Sequence, residues 1–218
     1  MSQSTDETTL PGEHAGDPSG ATLGPRVLLL RHGETEWSRT GRHTGRTDIP
    51  LTARGEEQAR AAGKTLPALL RGADPAAVLV SPLQRARRTA ELAGLVDLEP
   101  VDDLMEWDYG DVEGITTQAF RQDHPGWTVW DSGPPGGESI EALGQRVDRA
   151  LERVRAALDP RRPVVVVAHG HLLRVLAARW LGLGTTGGQL LRLDPATWSV
   201  LGFEHDRPAL LQWNAPGY

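Results

Sequence analysis

The sequence lacks cysteine altogether, which excludes disulfide bonds, thiolate nucleophiles and cysteine-based zinc or iron–sulfur sites. It also lacks long apolar runs, because those at 27–30 and 164–168 are far too short to cross a bilayer. Basic residues are in deficit, with 23 against 29 acidic ones and a net charge of −6, which disfavours nucleic acid as a partner. The missing cysteines fit a reducing compartment, so we expect a cytoplasmic protein without a membrane or nucleic-acid partner.

The N-terminal segment differs from the rest of the chain. Residues 1–24 are rich in Ser, Thr, Gly and Pro and poor in large apolar side chains, so burial cannot offset the entropy lost on ordering. The acidic start, with no apolar stretch after it, is not typical of a signal peptide. We therefore predict a disordered tail at 1–24 and one domain at 25–218.

The body of the chain alternates short β-branched runs with helical patterns. The sequence predicts strands at 26–30, 77–80, 163–168, 190–193 and 198–203, and helices at 52–70, 81–92, 139–158 and from the third strand to residue 181. Such alternation, with continuously apolar strands, indicates a largely parallel sheet that is covered on both faces. Ligands of such sheets lie beyond the carboxyl ends of the strands.

Two predicted strands end in the same kind of element. The strand at 26–30 runs into Arg31, His32 and Gly33, and the strand at 163–168 runs into His169 and Gly170. Either element alone is also compatible with an ordinary turn that contains a histidine. Because the two occupy equivalent places in one sheet, we expect both imidazoles to converge on a single pocket.

The strand at 77–80 leads into a helix start. Ser81 is typical of an N-cap, Pro82 of a first helical residue, and Gln84 completes a capping box. Arg85 then falls in the first turn, where a cation opposes the helix dipole unless an anion shares the site. An exposed surface charge is the alternative interpretation of Arg85.

A loop at 104–114 holds four carboxylates among aromatic residues. A carboxyl group beside Trp107 and Tyr109 would lose solvation, which favours the protonated form that a general acid needs. A solvated acidic loop is the alternative. Two histidines, two arginines and one carboxyl group together suit metal-free phosphoryl transfer through a phosphohistidine.

The motifs, taken in order, resemble the histidine phosphatase superfamily, the phosphoglycerate mutase-like proteins. The matching segments are LLLRHGETEW at 28–37, TGRTDIPLT at 44–52, SPLQRARRTA at 81–90, LMEWDYGDVEG at 104–114, PGGES at 135–139 and VVAHGH at 166–171. The resemblance implies a three-layer α/β/α sandwich with a mostly parallel central sheet. It is strongest to the branch of small acid phosphatases and sugar-bisphosphatase-like members, which need no cofactor.

The resemblance also implies roles for individual residues. His32 would be the nucleophile, with Arg31, Arg85 and His169 around the phosphate, and Glu106 would donate the proton. The implied binding residues are Gly170, through its backbone N–H, and Thr44 and Gly45 at the mouth. Ser38 stands where many relatives have asparagine, and its hydroxyl has a shorter reach.

Several alternatives stay open at this stage. The basic cluster of Arg39, Arg42, His43 and Arg46 would either bind a second anionic group of the substrate or be solvated. His171 would serve the pocket or the helix, and Trp127 and Trp130 would form a lid or a packed loop.

The reaction and the assembly leave further alternatives. Residues 115–134 hold one Arg and no Lys, which favours a phosphatase over a cofactor-dependent phosphoglycerate mutase. Two other classes remain: a zinc or manganese hydrolase using His32, His169, His171 and a carboxylate, and a non-catalytic phospholigand-binding protein. We expect a monomer or homodimer with a small phosphorylated substrate, no cofactor and no metal.

Overall fold

The computed structural model describes residues 24–217. The tail predicted at 1–24 lies outside the described residues except for Gly24, and the domain limits of 25–218 stay a prediction. In the described range, helices long and apolar enough to cross a bilayer are absent.

A single sheet organises the described residues. Its strand order is β3-β2-β4-β1-β5-β6. The strands are β1 (Val27–Arg31), β2 (Ala77–Val80), β3 (Leu98–Pro100), β4 (Val164–Ala168), β5 (Thr197–Glu204) and β6 (Arg207–Pro216). The first four in the order run parallel, whereas β5 is antiparallel to β1 and β6 is antiparallel to β5. The prediction of a mostly parallel sheet is confirmed.

Helices connect the strands. They are α1 (Glu36–Arg39), α2 (Ala53–Leu70), α3 (Gln84–Leu92), α4 (Thr117–Phe120), α5 (Val129–Ser132), α6 (Ile140–Ala156) and α7 (Gly170–Trp180). Single 3₁₀ turns occur at Asp102–Leu104 and Gly110–Val112, and a longer one at Thr185–Leu190. The predicted helices at 52–70 and 139–158 are found within two residues of their limits.

The core has two halves because successive strand residues point to opposite faces of the sheet. Leu29, Val164 and Val166 pack with the apolar sides of α6 and α7 on one face. Leu28, Leu30, Val165 and Val167 pack with α2 and α3 on the other. All five residues of β4 are buried, which explains why this central strand is continuously apolar. The result is the predicted α/β/α sandwich.

Two local predictions were wrong. The helix expected at 81–92 begins at Gln84, and Leu83, not Ser81, is its N-cap. The Ser81 hydroxyl is bonded to His169, and the Asp48 carboxylate accepts from the Gln84 amide at 2.8 Å instead. The strand expected at 190–193 is also not one, because Leu190 ends the 3₁₀ turn and is 76% exposed.

Candidate active site

His32 lies directly beyond the carboxyl end of β1. It is 3% exposed, and its amide donates to the carbonyl of Ala168 in β4 at 2.9 Å. Its ring Nδ1 is 2.7 Å from the Gly33 carbonyl. Because a carbonyl oxygen only accepts, Nδ1 must carry the proton in this hydrogen bond. The other ring nitrogen, Nε2, therefore holds the lone pair that a nucleophile needs.

The surroundings of His32 keep it uncharged. Burial lowers its pKa well below the usual 6.5, and the positive charges of Arg85 and Arg31 lower it further. A neutral imidazole is the reactive form in attack on phosphorus, since protonation removes the lone pair.

His169 and Arg85 lie behind His32, and both are fully buried. The centroids of the two histidine rings are 5.2 Å apart, so the predicted convergence is found. Nδ1 of His169 accepts from Arg85 Nε at 3.1 Å, which leaves its Nε2 to donate to Ser81 Oγ at 2.7 Å. Burial lowers the pKa of His169 well below 6.5 as well.

The rest of the Arg85 guanidinium holds the loop between α1 and α2. It donates to the carbonyls of Thr44, Gly45 and Thr47 at 3.2, 2.8 and 2.9 Å. The surface-charge interpretation of Arg85 is therefore wrong, because the side chain is 0% exposed. Direct contact of Arg85 and His169 with a phosphate stays a prediction.

Arg31 is one of the residues that line the pocket. Its Nη1 donates to the Leu193 carbonyl, while its buried Nε has no hydrogen-bond partner within residues 24–217. A buried N–H without a hydrogen-bond partner costs free energy of folding, so a role in binding or catalysis is a natural explanation for it. Gly170 lies against this guanidinium, since a β-carbon on Gly170 would be 3.3 Å from Arg31 Nε.

Glu106 is the acidic residue of the 104–114 loop that lines the pocket, and it is 4% exposed. One carboxyl oxygen accepts from the amides of Trp107 at 3.0 Å and Leu172 at 2.8 Å, and the other accepts from the His171 amide at 3.0 Å. Backbone N–H groups, two of them at the N-terminus of α7, thus hold the Glu106 carboxyl group in place at the cavity wall.

Arg31, His32 and Glu106 line a cavity of about 260 Å³, whereas Arg85 and His169 lie outside its lining. The other residues singled out in the sequence that line it are Ser38, Arg42, His43, Thr44, Tyr109, Gly170 and His171. Gly45 lies outside this lining, with its amide bonded to the Glu113 carboxylate. Arg46 also lies outside it, with its guanidinium against the Met105 sulfur at 2.8 Å.

Ser38 uses its hydroxyl locally. The Ser38 hydroxyl accepts from the Thr35 amide at 2.9 Å, and its O–H donates to the Thr35 carbonyl at 3.1 Å. The Thr35 hydroxyl in turn accepts from the Ser38 amide at 3.1 Å, which makes a capping box at the start of α1. Ser38 therefore holds the helix that follows the His32 loop.

Arg174 was missed in the sequence, although it lines the cavity. It donates from Nε to the Gly188 carbonyl at 3.0 Å and from Nη2 to the Gln189 carbonyl at 3.1 Å. Its guanidinium lies 4.6 Å from the Trp130 ring centroid. A signal was present, because Arg174 follows Gly170 by four residues and so shares one helix face with it.

Tyr109 and His171 form a neutral pair at the same wall. The Tyr109 hydroxyl is hydrogen-bonded to His171 Nδ1. Burial raises the pKa of Tyr109 well above 10 and lowers the pKa of His171 well below 6.5. Both groups are therefore uncharged, and the pair adds no charge to the cavity wall.

The remaining open alternatives concern a lid and a metal. Trp127 is buried with its indole N–H bonded to the Gly133 carbonyl, and Trp130 packs against Trp107, so both belong to a packed loop. Between residues 24 and 217, groups of three or more His, Asp or Glu side chains arranged to hold a metal ion are absent.

Comparisons with known proteins agree with this geometry. A family model described as the histidine phosphatase superfamily (branch 1) matches residues 27–216. An acid phosphatase of Mycobacterium tuberculosis is 44% identical over 83% of this chain and 87% of its own length. A sedoheptulose 1,7-bisphosphatase of Saccharomyces cerevisiae is 34% identical over 75% of this chain and 70% of its own. The solved structure of a Mycobacterium tuberculosis open reading frame product superimposes with a TM-score of 0.83 at 40% identity, covering 88% of this chain and 98% of that one.

Proposed function

We propose that this chain, which belongs to the histidine phosphatase superfamily (branch 1), hydrolyses small phosphomonoesters through a phosphohistidine on His32. One observation carries the assignment of His32. The ring is buried and neutral, its Nδ1 proton is held by the Gly33 carbonyl, and it lines a cavity with Arg31 and Glu106. A histidine held in this way has a defined nucleophilic nitrogen next to a cation and an acid.

The first half of the reaction transfers the phosphoryl group to the protein. The Nε2 lone pair of His32 forms a bond to phosphorus as the bond to the ester oxygen breaks. Glu106, in its protonated form, gives its proton to the leaving oxygen, so that an alcohol departs. Arg31, through its unpaired Nε–H, and the backbone N–H of Gly170 stabilise the charge on the phosphoryl oxygens.

The second half returns the protein to its starting state. The Glu106 carboxylate takes a proton from a water molecule whose oxygen attacks phosphorus. The bond from phosphorus to Nε2 breaks, inorganic phosphate leaves, and His32 is again neutral. We assign Arg85 to hold the Thr44–Thr47 backbone and to supply positive potential behind the phosphate, and the neutral His169 to hold the Arg85 guanidinium.

The positive charges on the cavity wall favour a substrate with a second anionic group. Arg42 and Arg174 line it beyond Arg31, and the histidines there are neutral, so the positive charges outnumber Glu106. One relative is named a sedoheptulose bisphosphatase, whose substrate carries two phosphates. We therefore infer a small phosphorylated metabolite with a second phosphate or a carboxylate. A cytoplasmic location and a monomeric or homodimeric state stay predictions of the sequence.

Phosphate release by EDTA-treated protein tests the proposal. The panel comprises p-nitrophenyl phosphate, sugar bisphosphates and 3-phosphoglycerate, with isomerisation of the last measured in parallel. We expect release to survive chelation and to disappear in His32→Ala. Isomerisation that depends on added bisphosphoglycerate, without release, would establish the mutase instead. Activity restored only by added metal would contradict the phosphohistidine route.

A further inference from the structure

The PGGES segment at 135–139 ends beside a buried ion pair that lies outside the cavity. Glu138 accepts from Arg146 of α6 through both carboxyl oxygens, from Nε at 2.7 Å and from Nη2 at 2.7 Å. The two side chains are 13% and 8% exposed. Two charges removed from water in this way need further hydrogen bonds to balance their lost solvation.

Arg146 finds those bonds on the loop that carries Glu106. Its Nη1 donates to the carbonyls of Asp103 at 2.8 Å and Met105 at 2.6 Å, and its Nη2 donates to the carbonyl of Glu106 itself at 3.3 Å. The Arg146 guanidinium therefore binds backbone carbonyls on the N-terminal side of Glu106 and the carbonyl of Glu106 itself.

Glu138 secures the other side of the same loop through its backbone. Its amide donates to the Asp108 carbonyl at 3.0 Å, and its carbonyl accepts from the indole N–H of Trp107 at 2.7 Å. Contacts from this one pair thus bracket Glu106 from residue 103 to residue 108. The loop has no regular strand or long helix of its own here, so its position depends on such contacts.

We propose that Arg146 and Glu138 are positioning residues for the proton donor, and this rests on the proposed role of Glu106. By fixing the backbone at residues 103–108, the pair sets the distance from the Glu106 carboxyl to the leaving oxygen. Arginine is required because its planar fork serves a bidentate carboxylate and three carbonyls at once, which the single ammonium of lysine does not. Displacement of a catalytic group by about 1 Å costs on the order of a hundredfold in rate.

The dependence of kcat/KM on the leaving group tests this assignment. Arg146→Lys and Glu138→Gln are compared with the unchanged protein on aryl and alkyl phosphates that span a wide range of leaving-group pKa. We expect at least about a tenfold loss for alkyl phosphates and less than about threefold for p-nitrophenyl phosphate, because good leaving groups need little protonation. A structural effect unrelated to the acid would lower all substrates equally, and that result would overturn the proposal.

Arg149→Lys is the matched control. Arg149 lies on the same helix and pairs with the same loop, through the Asp103 side chain at 2.8 Å, but it is 57% exposed and touches none of the loop carbonyls. We expect this variant to keep the leaving-group dependence of the unchanged protein. An equal change in Arg149→Lys would show that any weakened contact of the loop suffices, which would overturn the assignment to Arg146.

Combination with Glu106→Gln separates this inference from the proposed function. We expect Arg146→Lys to cause no further leaving-group-dependent loss in a Glu106→Gln background, since both act on one proton. Losses that multiply would overturn the inference alone. A Glu106→Gln variant with equal losses for all leaving groups would overturn the acid role and the inference with it. If single variants fold poorly by circular dichroism, Arg146→Met with Glu138→Met removes both buried charges and serves instead.

Discussion

At the scale of single residues, the site works through protonation states that neighbours impose. His32, His169 and His171 all have pKa values lowered by burial, so each is neutral. The tautomers of His32 and His169 are defined by their partners, because the Gly33 carbonyl only accepts and Arg85 Nε only donates. The same type of side chain therefore has three roles. His32 is the proposed nucleophile, His169 supports Arg85, and His171 forms part of the cavity wall.

Arg174→Gln tests the proposed second anion subsite. The variant loses a charge-assisted hydrogen bond to the substrate, worth about 1.5–3 kcal/mol. We therefore expect KM for a sugar bisphosphate to rise about tenfold or more, while p-nitrophenyl phosphate, which has no second anion, changes little. Arg179→Gln on the same helix is the control, because Arg179 pairs with Asp148 and does not line the cavity. An equal rise in KM for both substrates would contradict the second anion subsite, and Arg174 would then only hold the Gly188–Gln189 backbone.

The sequence pattern predicts the residues that follow the strands but not Arg174, which reaches the cavity from within α7. His32 and His169 follow apolar strands, so the rule for parallel sheets brings them together. The contacts that His171 and Arg174 make depend on how loops distant in sequence fold back on α7. Periodicity carries no information on that contact, and the resemblance alone singled out Glu106 among four loop carboxylates.

At the scale of elements, the His32 loop is pressed against the first turn of α2. A β-carbon on Gly33 would lie 2.3 Å from the Gly55 carbonyl oxygen, and one on Gly55 would lie 2.1 Å from the Glu34 carbonyl oxygen. The Thr52 amide donates to that same Glu34 carbonyl at 2.9 Å. Glycine at both positions lets two backbones approach closely, which fixes the loop relative to the sheet.

Gly55→Ala is expected to destabilise the fold and displace the His32 loop. The added methyl group meets backbone atoms that have no free rotamer to adopt, and such overpacking costs about 1–3 kcal/mol. Urea denaturation measures the loss. Gly184→Ala is the control, because a β-carbon there meets nothing within 4 Å. A Gly55→Ala protein as stable as Gly184→Ala would refute the close packing of loop and helix.

Helix starts show where local signals mislead. Thr52 and Ser139 cap α2 and α6, accepting from the Gly55 and Ala142 amides. Ser81 precedes an equally typical pattern but is bonded to His169, and the Asp48 carboxylate of another loop accepts from the Gln84 amide at the start of α3 instead. The exception lies at the active site, where a tertiary contact with a functional residue overrides a local preference.

At the scale of the whole molecule, strand and helix alternation was sufficient to predict the architecture. The edge strands β3 and β6 were missed because both contain proline and polar residues and lie at sheet margins, where burial is incomplete. The central strands were found because they are buried on both faces. Sequence therefore predicted the part of the sheet that holds the site better than its margins.

The buried histidines predict how stability depends on pH. Their folded pKa values lie below the value of about 6.5 in an unfolded chain, so acid protonates the unfolded chain first. Stability is full above pH 6.5 and falls as the pH drops below it, by about 1.4 kcal/mol per pH unit for each such histidine. Urea midpoints at pH 7.5, 6.5 and 5.5 measure this. A midpoint that stays constant or rises towards pH 5.5 would contradict the neutral buried histidines.

Trapping of the phosphorylated protein tests the central claim most directly. Protein treated with EDTA is mixed with ³²P-labelled substrate, quenched in alkali within milliseconds, digested and mapped by mass spectrometry. We expect an acid-labile, alkali-stable phosphoryl group on His32, formed at a rate that supports turnover and absent from His32→Ala. Turnover without any phosphoryl-protein bond, or with the label on another residue, would contradict His32 as the nucleophile.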